Sequence, residues 1–163
     1  MEIKGEGRFS SVNVMKALIV YDTKTGMTEK IALAISSGMK EVGTPVVVKK
    51  AEDVTEGDFK AADAWIVGAP THVGSATGAA KRALKAGISS GAGGKKGTTF
   101  DTRFEKVGKG GAQKLRKMME EAGMQMIIEP EWFAVKGTKG PLADGEEEKA
   151  VTFGRKIAGA LRP

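Results

Sequence analysis

Apolar positions along the chain come in two alternating forms: unbroken runs that suit buried strands, and recurrences every three or four residues that suit one face of a helix. The run at residues 17–21 predicts a first strand, and Met27, Ile31, Ile35 and Met39, with Ala34, Gly38 and Val42 beside them, predict the helix that follows. Gly43-Thr44-Pro45 stops that helix. Val46-Val47-Val48 predicts a short second strand running into Lys49-Lys50. Residues 51–62 are a polar connection with a short helix anchored by Phe59, and residues 64–70 form a third strand, apolar on both faces and therefore central. A small-residue helix over 76–88 carries Lys81, Arg82 and Lys85 outward, and a glycine-rich stretch over 87–97 links it to a fourth strand, Thr98-Thr99-Phe100. Ala112, Leu115, Met118, Met119 and Ala122 share the face of another helix, which Gly123 ends. A last strand starts at Met124, breaks at Pro130 and resumes at Trp132, as an edge strand can. After a loop over 137–145, Asp144 and Glu147 predict a capping box for a closing helix with Ala150, Val151, Gly154, Ile157, Ala158 and Leu161 inside.

Strands alternating with helices predict an α/β fold: a doubly wound, five-stranded parallel sheet with crossover helices on both faces and strand order 2-1-3-4-5. The 163 residues suffice for one such domain. Residues 1–14 lack a strong apolar period and read as an N-terminal extension outside the fold, so that the domain spans 15–163 with Met15 as its functional start. The extension has no secretory apolar core, which predicts a cytoplasmic protein. No apolar run approaches the length of a membrane span, and a composition of 40% apolar and 28% charged residues is ordinary for a soluble domain. The chain has no cysteine and one histidine, which excludes disulfides, thiol catalysis and zinc sites of the His/Cys type. Redox chemistry therefore requires a bound organic cofactor.

Chemistry concentrates where the first strand breaks into Thr23-Lys24-Thr25-Gly26-Met27-Thr28. Three hydroxyls, a glycine that allows a tight turn and the unpaired amides of a helix N-terminus together make an anion cradle. Neither a Walker A loop nor a Gly-x-Gly-x-x-Gly dinucleotide loop fits this spacing. Two readings stand: a phosphate site, or a helix simply capped by Thr25 or Thr28.

The pattern Thr23-x-Thr25-Gly26-x-Thr28 at the end of the first strand resembles the phosphate loop of flavodoxin-like FMN proteins, and the order and spacing of elements resemble that family from residue 16 to residue 161. The resemblance implies FMN as cofactor and two further flavin loops. Gly68-Ala69-Pro70-Thr71-His72-Val73-Gly74-Ser75 looks like the loop that runs along the ring, with Pro70 fixing direction and Gly74 leaving room for a flat ligand. His72 is either a packing or hydrogen-bonding partner of the ring or an idle surface residue. The stretch from Phe100 through Asp101, Thr102, Arg103 and Phe104 falls where the third loop belongs, with Phe100 itself expected in the core. There the Arg103 guanidinium would favour the anionic reduced flavin, or it would merely pair with Asp101 or Glu105 in solvent. In a doubly wound sheet the three loops should converge beyond the carboxyl ends of the strands.

The family resemblance implies an electron carrier that exposes the flavin edge to a redox partner protein. An FMN-dependent NAD(P)H:quinone-type oxidoreductase is the second reading, and a flavin-free scaffold of the same fold the third. No nicotinamide motif is present, which favours the carrier. A response regulator would share the fold, but Gly68-Ala69-Pro70 stands where its phosphoacceptor aspartate should be. The net charge of +6 and Lys95, Lys96, Arg103, Lys106 and Lys109 near the third loop suit an acidic partner, or else form a solvated face. Nucleic acid and membrane are not expected partners, and both monomer and homodimer stay open.

Overall fold

The computed structural model describes residues 14–162, so the expected extension lies, save Val14, outside the described residues. Seven strands form one sheet: β1 (Ala17–Tyr21), β2 (Val46–Lys50), β3 (Ala64–His72), β4 (Ser75–Ala76), β5 (Lys96–Phe104), β6 (Gln125–Met126) and β7 (Glu131–Val135). Their order is β2-β1-β3-β5-β6, with β7 also on β5 and β4 on β3. The main ladders are parallel, and β6 and β7 pair with the two ends of β5, at Lys96–Gly97 and Phe100–Phe104. They are the two halves of the expected fifth strand, so the 2-1-3-4-5 order holds.

Helices α1 (Met27–Glu41), α2 (Glu56–Ala61), α3 (Gly78–Gly91), α4 (Gly111–Glu121) and α5 (Glu146–Leu161) cover the sheet. Ile19, Ile66, Phe100 and Phe133 point to the face shared by α1 and α5, and Leu18, Trp65 and Val67 to the face covered by α2, α3 and α4. This division follows from the period-2 alternation of side chains along each strand. On the first face α1 and α5 meet backbone to backbone: a Cβ on Gly38 would overlap the Val151 carbonyl oxygen, and one on Gly154 would overlap that of Ile35. On the second, Phe59 is fully buried as expected and meets Trp65 edge-on, ring centroids 4.8 Å apart, while the indole N–H donates to the Phe59 carbonyl oxygen at 3.0 Å.

Three expectations need correction. β5 reaches Phe104, because β3 and β7 pair with it on both sides, so Asp101, Thr102 and Arg103 are strand residues rather than a loop. β3 continues to His72 and returns through a two-residue Val73-Gly74 turn as the antiparallel β4. The Asp144 capping box does not form: Gly145, at φ 81°, is the N-cap of α5, Asp144 lies 3.8 Å from Lys136, and the Glu146 carboxylate accepts the Ala134 N–H instead.

The two outer edges of the sheet are short. β2 offers five residues ending in Lys49-Lys50. Beyond β7, the segment 141–143 lies alongside, with Lys136 N–H donating to the Pro141 carbonyl and Ala143 N–H to that of Ala134.

Candidate functional site

β1 ends in a loop shaped by its own threonine: the Gly26 N–H donates to Thr23 Oγ1 at 2.9 Å, and Gly26, at φ 91°, turns the chain into α1. No side chain caps that helix, so the reading of Thr25 or Thr28 as its cap is not the arrangement found. Among the described residues the amides of Met27, Thr28 and Glu29 have no protein acceptor. Tyr21 fastens the far side of the first turn by donating its hydroxyl to Glu29 at 2.6 Å; burial, and then Glu29 itself, push the phenol well above its ordinary pKa.

Beside these amides lies a cavity of about 290 Å³. Lys24, Thr25, Met27 and Thr28 line it from the first loop, Pro70, Thr71 and His72 from the end of β3, and Thr102, Arg103 and Phe104 from the end of β5. The three expected stretches do converge. Thr28 and Thr102, both buried, share a hydrogen bond at 2.8 Å. Two hydroxyls hold two protons and this bond uses one, so one O–H is left with no acceptor among the described residues, and both threonines line the cavity.

Thr23, Gly26, Val73, Gly74 and Asp101 stand outside the lining. Thr23 and Gly26 shape the first loop. Gly74 serves the turn, with a φ of 73° that favours glycine. Asp101 is fully buried and holds Arg103 through two 2.8 Å contacts, Nε to Oδ1 and Nη2 to Oδ2. The remaining guanidinium donors go to the Val107 and Gly108 carbonyls and to Gln113, and the guanidinium carbon sits 4.8 Å above the Trp132 ring. Arg103 is thus paired with Asp101, but in the interior, and its donors are taken by the protein. It ties the 104–110 loop to β5 and to α4, whose Ala112 N–H donates to Asp101 Oδ2 at 2.9 Å.

Five lining residues had not been foreseen: Thr77, Val107, Val135, Gly137 and Thr138. The segment after β7 reaches the first loop, where Gly140 packs on the Met27 thioether closely enough that a Cβ would crowd its sulfur. Thr77, whose hydroxyl donates to Asp22, closes the wall between the first and second loops.

The chain can be set beside known proteins. The family model described as Flavodoxin matches residues 19–153. A flavodoxin of Aquifex aeolicus (strain VF5) is 40% identical over 60 residues, 36% of this chain and 32% of that protein, so the match spans about a third of the relative. A flavodoxin from the domain Archaea superposes with a TM-score of 0.76 at 23% identity, over 90% of this chain and 99% of that one. Oxidised flavodoxin 1 of Bacillus cereus gives 0.74 at 21% identity, over 88% and 97%. The rubredoxin oxygen:oxidoreductase of Desulfovibrio gigas gives 0.72 at 23% identity, over 90% of this chain and 36% of that larger one. The structural likenesses speak for the fold alone, but the family model covers most of the chain, and on that ground the chain belongs to the flavodoxin family.

Proposed function

We infer that the cavity binds FMN and that the protein carries electrons between redox partners. The observation that carries this reading is the uncapped N-terminus of α1. Its free amides and the spare hydroxyl proton of the Thr28–Thr102 pair form a donor set suited to one terminal phosphate. The exposed Thr25 hydroxyl and Lys24, 67% exposed and 3.9 Å from Asp22, add a donor and a positive charge at the rim. Bound there, a flavin supplies the redox chemistry that this chain's own side chains lack.

The volume of about 290 Å³ lies just below the range of ligand sites, roughly 300–1,000 Å³, so a flavin held here by its phosphate would keep part of its ring outside the walls. A partner reaches the flavin edge there. Phe104, 46% exposed at the mouth, offers the ring an aromatic neighbour, and His72 lines the opposite loop.

Titrating apoprotein with FMN and with riboflavin tests the reading. FMN is expected to bind at least tenfold more tightly, since a hydrogen bond to a charged group contributes roughly 1.5–3 kcal/mol. Equal affinities would leave the free amides without a phosphate to serve. Thr25→Ala should erode the FMN preference while leaving apoprotein stability nearly unchanged, because its exposed hydroxyl makes no hydrogen bond among the described residues. Thr28→Ala should lower both, since it also leaves Thr102 without its buried partner.

A further inference from the structure

We propose that the sheet face carrying α3 and α4, together with the 104–110 loop, docks an electron-transfer protein whose contact surface is rich in Asp and Glu, with Val73 as the apolar anchor at the cavity mouth. The proposal deepens the carrier reading and rests on it for the purpose of the contact, though not for the contact itself.

Charge is divided unevenly along this chain. Residues 74–119 contain eleven Lys and Arg against two Asp and Glu, whereas the rest of the chain holds fifteen against eighteen. Of the two acids, Asp101 is buried and neutralised by Arg103, which leaves Glu105 alone on the surface. Arg82, Lys85, Lys106, Lys109, Lys114 and Lys117 are exposed, and among the described residues none has a carboxylate within 4.0 Å. They lie on α3, on α4 and on the loop between β5 and α4; the exposed acids of α4, Glu120 and Glu121, stand in its last turn, away from that loop, with Glu120 3.3 Å from Arg116, so a positive excess remains on this side of the sheet, next to the cavity. A field of one sign there steers an oppositely charged partner toward the cofactor site.

The apolar anchor is a separate observation. A two-residue hairpin turn with positive φ at both central positions favours Asn or Gly, and a β-branched residue there is strained. Val73 nevertheless occupies that position at φ 50°, with its side chain 93% exposed, so no packing among the described residues repays the strain. It follows directly after His72, a lining residue, and Phe104 is half exposed on the other side of the mouth. Apolar contacts at the centre with charges at the rim are the anatomy of a protein–protein interface. A nucleic-acid backbone would gain nothing from a valine at the tip.

The test is direct binding of the full-length, FMN-loaded protein to a fluorescently labelled acidic ferredoxin, followed by anisotropy between 20 and 300 mM NaCl. The dissociation constant should rise at least tenfold over that range. Lys106→Glu with Lys109→Glu should weaken binding and flatten the salt slope. Val73→Asn should weaken binding severalfold at every salt concentration with the slope unchanged, and should raise the denaturant midpoint of the free protein as the turn relaxes. A salt-independent affinity, an unaffected Val73→Asn complex, or tighter binding to duplex DNA or to phosphatidylserine vesicles than to the ferredoxin would each overturn the proposal. Repeating the titration without FMN separates the two readings, because failure of flavin binding leaves the docking curves in place.

Discussion

Replacing Arg103 by methionine is expected to lower stability by about 3–5 kcal/mol, because it strands the Asp101 carboxylate in the interior without its counter-charge. The Asp101 side chain is 0% exposed and that of Arg103 3%, so solvent cannot take over the lost contacts. The guanidinium also holds the Val107 and Gly108 carbonyls, which lose their donors together. The paired variant Asp101→Asn with Arg103→Met should recover much of the loss. Its amide oxygen still accepts the Ala112 N–H, while no buried charge is left unpaired. Chemical denaturation of the apoprotein measures both variants. A loss under 1 kcal/mol for the single variant would mean that water reaches the pair after all. Salt should leave the effect nearly unchanged, since screening acts weakly on buried charges. Riboflavin affinity gives a second readout on the proposed function: Phe104 and Val107, next to Arg103 and its contacts, line the cavity, so Arg103→Met should weaken riboflavin and FMN alike.

Gly154→Ala should be among the most disruptive single methyl groups at the described residues. Its Cβ would overlap the Ile35 carbonyl and crowd the Met39 amide, and backbone atoms of a packed helix cannot move aside as a flexible side chain can. Relief requires α5 to move away from α1, which opens the layer around Ile31, Ile35 and Ile157. Overpacking costs typically 1–3 kcal/mol, and the rigidity of this contact puts the loss at about 3 kcal/mol or above. The denaturant midpoint and the thermal transition should both fall. A variant of parental stability would show that the two helices slide freely, and Gly38→Ala, which meets Val151 and Arg155 from the opposite side, should behave in the same way.

The layered fold was legible because each buried strand is a block of apolar residues and each helix repeats at its own period. The loop after β1 was legible for a different reason: Thr23, Thr25, Gly26 and Thr28 lie within six residues, and the bond that shapes the turn, from the Gly26 N–H to Thr23 Oγ1, is local. Three features were not. Asp101 and Arg103 look like loop residues because polarity usually signals solvent, yet here each hides the other's charge within β5. The Val73-Gly74 turn gave no signal because it lacks the Asn-Gly or Asp-Gly that normally marks such hairpins. Val135, Gly137 and Thr138 enter the cavity through the bridge between Val135 and Leu142, a contact no local pattern announces. The Asp144–Glu147 spacing misled because a left-handed Gly145 starts the helix one residue later and sends Glu146 to the Ala134 amide.

The form of the sheet's two margins bears on how this protein behaves in crowded solution. Fibrils and domain-swapped aggregates grow when a long, bare row of backbone donors and acceptors recruits a second chain. One margin here is five residues long and closes with two adjacent lysines, and the other is interrupted at Pro130 and partly overlaid by residues 141–143. Neither margin can template a partner strand for more than a few residues. Refolding at high concentration should therefore return monodisperse material rather than sheet-linked polymers.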